Sequence, residues 1–256
     1  MPQLLRTSVL RSIGLFVLLF GHLAIAIAFY PTFLEQKGAL LAMAEGVSKI
    51  LARDAALAAK SDWGYVCGQQ FFKFSNTLGT GAAVMFAAGA VASDTQRGTL
   101  ELVLSRPVSR TRLYLERWIA GALALAVPMF LVSALFRPLC DVLGVTISVP
   151  TSLMLEAAAY ETAFLSIFYS VAFTWSVFAP RVLTIVLGLI FGTIGMYALY
   201  LIPDANAWSI YQWADVRTFF DMQSRPLSAT QWLRPLAISA AVALVGWYGF
   251  RRRAPY

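Results

Sequence analysis

The sequence predicts an all-α, polytopic membrane protein with six transmembrane helices and both termini on the cytoplasmic side. Three observations predict it. Hydrophobic residues make up 59% and charged residues 13% of the 256, with a mean hydropathy of +0.69; a soluble domain is about 45–50% apolar and about 25% charged. Six apolar runs recur along the chain, on the scale needed to cross a hydrocarbon layer about 30 Å thick. Arginines gather beside the ends of these runs, which is the positive-inside pattern. The net charge of +7 therefore reflects membrane orientation and not a nucleic-acid face, and no nucleic-acid partner is expected. The chain reads as a single domain, 1–256, without an internal repeat or low-complexity tract.

Arg6 and Arg11 precede the first run, 13–30, and hold its start inside. The run lacks a clear small-residue cleavage site, so it is expected to remain as a span. Pro31 is expected to end it. Residues 31–76 form a long outer segment in which Leu40, Met43, Val47, Ile50, Leu51 and Leu57 recur at helical spacing. Glu45, Lys49, Arg53 and Lys60 interrupt it too often for a span. It reads as an amphipathic helix, either packed on the outer ends of the spans or offered to a partner on the outer side.

Span two, 77–93, is rich in small residues from Gly79 to Ala90, which permit close helix contact, and it enters the cytoplasm at Asp94. Span three, 118–136, runs outward to Arg137. Span four, 152–178, ends in a tight inner turn at Ala179, Pro180 and Arg181, and span five, 182–202, returns outward. Residues 203–232 mix Trp208, Tyr211, Trp213, Phe219, Phe220 and Trp232 with Asp and Arg, as in a segment lying in the interface or dipping partly back. Span six, 233–250, ends in Arg251, Arg252 and Arg253, which place the C-terminus inside. Two termini on one side require an even number of spans, and six satisfies this.

Several chemistries are excluded. There is no GxxxxGK[ST] phosphate loop, no GxSxG elbow, no HExxH and no CxxC, so neither a nucleotide nor a metal or redox centre is expected on this chain. The single histidine, His22, lies in mid-span one, where a neutral imidazole is expected to bond across a helix interface. Glu156 and Glu161 lie in span four. At about 100° per residue they point to different faces, which argues against a paired-carboxylate site. Glu156 is near the outer end, within reach of water. Glu161 sits deeper, where an ionisable group costs about 2.5–3.5 kcal/mol, and is expected either to hydrogen-bond between helices or to touch a substrate path. Cys67 and Cys140 both fall outside, which leaves open a disulfide or two unpaired thiols.

The most basic connector is Ser93–Trp118, SDTQRGTLELVLSRPVSRTRLYLERW, with Arg97, Arg106, Arg110, Arg112 and Arg117. Its pattern predicts a helix over 99–104 stopped by Pro107, because the residue before a proline avoids the helical region. Ser109 is placed to cap a second helix from Arg110. Leu100, Leu102, Val103 and Leu104 offer apolar anchors inside an arginine rim. That suits either an interfacial helix with arginines on lipid phosphates or a docking element for a cytoplasmic protein.

GTLELVLSRPVSR, preceded by an acidic residue at the end of span two, resembles the first inner loop of the membrane subunit of type 2 ABC exporters. There an acidic residue, three further residues, GTLE, an apolar stretch and PVSR occur in order. Asp94, Gly98, Thr99, Leu100, Glu101, Leu104, Pro107, Val108, Ser109 and Arg110 match. Asp94 stands where Glu is commoner, and Glu116-Arg117 where the family often has Gly-Lys. The six-span layout agrees over the whole chain, whereas the residue match is confined to this loop. The resemblance implies a permease whose loop is a coupling helix, with Leu102 and Arg106 joining the matched residues as the docking surface for a separate ATP-binding subunit. ATP and Mg would sit on that subunit, leaving this chain without a cofactor or catalytic residues. A second permease copy or a related permease, surrounding membrane lipid and a bacterial inner (plasma) membrane location are implied as well. The family's cargoes include drugs, lipids, peptides, polysaccharides and ions, and no residue chooses among them. The alternatives are a six-span secondary transporter or membrane enzyme using His22, Glu156 and Glu161, and a structural scaffold in a larger membrane assembly.

Overall fold

Helix α1 runs from Pro2 to Val47 without a break in the computed structural model, which describes residues 2–100, 102 and 108–252. Pro31 lies inside α1 and does not end the helix. A helical proline removes one donor and crowds one carbonyl. Here the residues that follow, including Leu34, Glu35, Gln36, Lys37, Ala39 and Leu40, are good helix formers, and the winding resumes. Cross-helix bonds steady the region: the Tyr30 hydroxyl donates to Asp62, and the Tyr65 hydroxyl donates to the Ala26 carbonyl at 2.6 Å.

The helix stops at Ser48, whose backbone is extended and whose hydroxyl accepts from the Ile50 amide at 3.2 Å, capping α2 (Lys49–Ala58). The amphipathic stretch expected in this segment is therefore split. Leu40, Met43 and Val47 belong to α1, while Ile50, Leu51 and Leu57 belong to α2. Ser61 caps α3 (Asp62–Val66). From α3 the backbone stays helical through a π-wound segment, Cys67–Ser75, into α4 (Asn76–Ala88). The expected span two, 77–93, is thus the later part of a rod that begins at Asp62, and the rod ends at Ala88. A turn at 89–91 separates it from α5 (Ala92–Gln96).

The remaining elements are α6 (Arg110–Ala134), α7 (Phe136–Leu143), α8 (Thr151–Phe178), α9 (Val182–Leu201), two 3-10 turns (Asn206–Trp208 and Ile210–Ala214), α10 (Val216–Asp221) and α11 (Ala229–Arg252). No strand occurs among the described residues. Five helices, α1, α6, α8, α9 and α11, are long and apolar enough to cross a membrane.

Helix α8 is the centre of the bundle. In its most apolar window 67% of the residues are buried, against 6% for α9, so α9 presents its side chains outward. Around α8 stand α4, α6 and α11. Small and hydroxyl residues bring α8 and α11 together. Ser170 and Ser239 hydroxyls bond at 2.8 Å, Ser239 donates to the Ser166 carbonyl at 3.1 Å, and Thr174 donates to the Val242 carbonyl at 2.9 Å. Residues 203–232 fold back on the bundle. Tyr211 and Phe219 are buried, Trp63 Nε1 donates to the Phe219 carbonyl at 2.9 Å, and the Tyr160 hydroxyl donates to the Trp213 carbonyl at 2.7 Å.

Candidate functional site

The basic connector meets the bundle where four segments end together. Arg11 of α1 donates to the Phe86 carbonyl of α4 at 3.0 Å, and Arg110 of α6 to the Arg251 carbonyl of α11 at 2.9 Å. The Asp94 carboxylate on α5 pairs with Arg117 at 2.6 Å, and Arg117 also donates to the Ala90 carbonyl. Asp94 holds the next turn as well: its carbonyl accepts from the Thr99 amide at 2.9 Å. Gly98 closes that turn at φ 68°, a left-handed conformation that favours glycine. Asp94, Gly98 and Thr99 thus form one local unit.

Leu100 is buried and Leu102 is 69% exposed, with helical backbone at both. Glu101, Leu104, Arg106 and Pro107 lie outside the described residues. Val108 is exposed, and Ser109 caps α6 through a bond from the Arg112 amide at 3.2 Å, as its position in the sequence suggested. Arg117 is the member that sequence reasoning passed over. It was one arginine among five, and nothing in a helical pattern pairs it with an aspartate on another element.

A second feature is a groove of about 460 Å³ between α4 and α9, near the π-wound segment. Phe72, Val84, Met85, Ile190 and Ile194 make it mainly apolar, and Asn76, Thr80 and Tyr211 bring polar groups to it. Asn76 Oδ1 and Thr80 Oγ1 are buried without a hydrogen-bond partner among the described residues.

The other sequence candidates are scattered. His22 Nε2 lies 3.3 Å from the Gln69 carbonyl, and its ring stacks on Phe74 at 3.4 Å, a cross-helix arrangement. Glu156 is half-buried on α8. Glu161 is fully buried, and neither carboxylate oxygen has a hydrogen-bond partner among the described residues. The interhelical bond expected of it is absent there. Cys67 and Cys140 are both buried and free in the structure.

Sequence reasoning did not anticipate a charged cluster between α2 and the 203–232 segment. Arg53 Nη2 donates to Asp54 Oδ1 at 2.8 Å and to Asp215 Oδ2 at 2.9 Å, and the Tyr200 hydroxyl donates to Asp54 Oδ2 at 2.5 Å. Asp215 also caps α10 through the Thr218 amide at 2.8 Å. Burial pushes the Asp54 and Asp215 carboxyls above their ordinary range, while bonds from Tyr200, Thr218 and Arg53 oppose it.

Among the described residues no group of His, Cys, Asp and Glu is placed to hold a metal ion. Compared with known proteins, the sequence matches the model of the family described as ABC-2 family transporter protein over residues 3–212. No curated protein matches it.

Proposed function

The chain belongs to the ABC-2 transporter family, and from that premise we propose that it is the permease of an ATP-driven exporter, coupled through its 94–117 loop to a separate ATP-binding subunit. It is a multi-pass membrane component of a transport system. The observation that carries the coupling reading is the hydrogen-bonded Asp94–Gly98–Thr99 unit, followed by an exposed Leu102. An exposed leucine beside arginines is the composition of an interface anchor with a polar rim. In this reading ATP and Mg bind to the partner. The rod from Asp62 to Ala88 supplies the sixth crossing, and both termini and the basic loop face the cytoplasm of a bacterial cell. Outward-facing α9 and its groove with α4 suit a path completed by a second copy or a related permease.

The test is co-purification. The chain, tagged after Tyr256 and extracted in mild detergent from its host, is expected to bring down a stoichiometric ATPase, and Leu102→Asp is expected to lose it. A chain that purifies alone, with or without ATP and vanadate, overturns the proposal. A second reading, a secondary transporter or membrane enzyme, is favoured by one observation: Glu161 is buried with both oxygens unpartnered. It gains if Glu161→Gln and collapse of the proton gradient each abolish transport.

A further inference from the structure

Arg110, Tyr114, Arg117 and Gly121 stand at i, i+4, i+7 and i+11 of α6, so one stripe of the helix carries them. Along that stripe α6 meets three partners in turn. Its first turns are fastened to α11. Arg110 donates to the Arg251 carbonyl at 2.9 Å, Trp247 Nε1 donates to Thr111 Oγ1 at 3.1 Å, and the Tyr114 hydroxyl donates to the Ala243 carbonyl at 2.7 Å. One turn later Arg117 reaches to Ala90 and Asp94. Beyond it, the Tyr169 hydroxyl of α8 donates to the Trp118 carbonyl at 3.0 Å and occupies the space a Cβ on Gly121 would need.

The Arg117 contact has a specific mechanical position. The turn at 89–91 interrupts the helix between α4 and α5. A load on the connector would flex that turn and be lost there unless something braced it. Arg117 grips the turn itself, through the Ala90 carbonyl, and α5 beyond it, through the Asp94 carboxylate. The pair is largely shielded, with 13% of the Arg117 side chain and 22% of the Asp94 side chain exposed. A shielded arginine whose two terminal nitrogens are divided between a carboxylate and a carbonyl holds geometry better than a wet surface pair does.

We infer that Arg117 is the positioning residue that converts displacement of the inner loop into movement of α6 and α11. The inference rests on the reading that the loop receives an ATP-binding partner. A push on the loop reaches α5, passes through the Asp94–Arg117 pair to α6, and from α6 through Arg110, Thr111 and Tyr114 to the last helix of the chain. Without Arg117 the loop would still dock, but its motion would be absorbed at the 89–91 turn.

The test uses the full chain with its partner, reconstituted in lipid. Spin labels are placed at Val142→Cys and Trp208→Cys, which are 80% exposed at both sites, while Cys67 and Cys140 are buried and stay unlabelled. In the parent, ATP with vanadate is expected to shift the distance between the labels. In Arg117→Met the partner should bind and hydrolyse ATP as before, and the shift should be lost. A merely structural role would not separate hydrolysis from the shift in this way. Should Arg117→Met fail to fold, Arg117→Gln, which keeps a donor for the Ala90 carbonyl, carries the same expectation. A full shift in either single variant overturns the inference and leaves the coupling reading standing. A parent chain that binds no ATPase overturns the reading, and the inference with it.

Discussion

Asp54 and Asp215, one on α2 and the other capping α10, share a single guanidinium nitrogen: Arg53 Nη2 lies 2.8 Å from the first and 2.9 Å from the second. Two buried carboxylates and one cation leave the cluster with an excess of negative charge. Burial raises both carboxyls. A raised carboxyl takes its proton first in the folded state, so stability increases as pH falls through the folded value. The gain is complete below the unfolded value of 3.8. Thermal unfolding in detergent should therefore give a Tm that rises as pH is lowered through the raised folded values towards 3.8. Asp215→Asn should flatten that slope.

Removing the cation is the harsher change. Arg53→Met leaves Asp54 and Asp215 facing each other without a counter-charge. Breaking one side of a buried pair costs about 3–5 kcal/mol. The lower end applies here, because 34% of the Arg53 side chain is exposed. The 203–232 segment should loosen first, since Asp215 helps to hold it. Limited proteolysis within that segment at neutral pH should accelerate in the variant, and acid should partly reverse the effect.

Close helix packing gives a contrast between glycines. A Cβ on Gly246 would lie 2.6 Å from Thr174 Oγ1 and 2.7 Å from the Tyr114 hydroxyl, whereas one on Gly192 would meet nothing within 4 Å. Gly246→Ala should destabilise the chain by about 1–3 kcal/mol through overpacking. Gly192→Ala should be neutral or stabilising by up to about 1 kcal/mol, as for glycine replaced in a helix interior. Paired denaturation curves for the two variants check both signs.

Glu161→Gln keeps the shape of the side chain and removes a carboxyl that has no partner to lose among the described residues. Unfolding should be unchanged or occur at higher temperature, and the co-purified ATPase should be retained. Glu161→Ala, which leaves a void in the middle of α8, should be less stable than Glu161→Gln. The order of the two midpoints is the measurement.

The helices with the strongest apolar runs were the most legible. Helix α8 starts one residue before the expected 152 and ends at Phe178, and α9 ends one residue before the expected 202. Both are bounded by prolines, arginines or extended residues that local sequence displays. Helix α1 was less legible, because a proline signals a stop locally while the neighbouring helices and the good formers after it sustain the winding. The break at Ser48 was missed because the apolar period runs straight across a capping serine. The π winding at Cys67–Ser75 has no pattern of its own. At the connector, the residues of the local turn could be read from sequence, but Arg117's role could not. It depends on which helix ends meet, and so does the Arg53 cluster.

The two buried, unpaired cysteines bear on how the protein is made. A membrane protein whose external parts are stapled must wait for an oxidising enzyme before its fold is secure. Cys67 and Cys140 impose no such wait. Helix insertion and packing are sufficient, so the chain should mature at the same rate in cells stripped of their thiol-oxidising machinery.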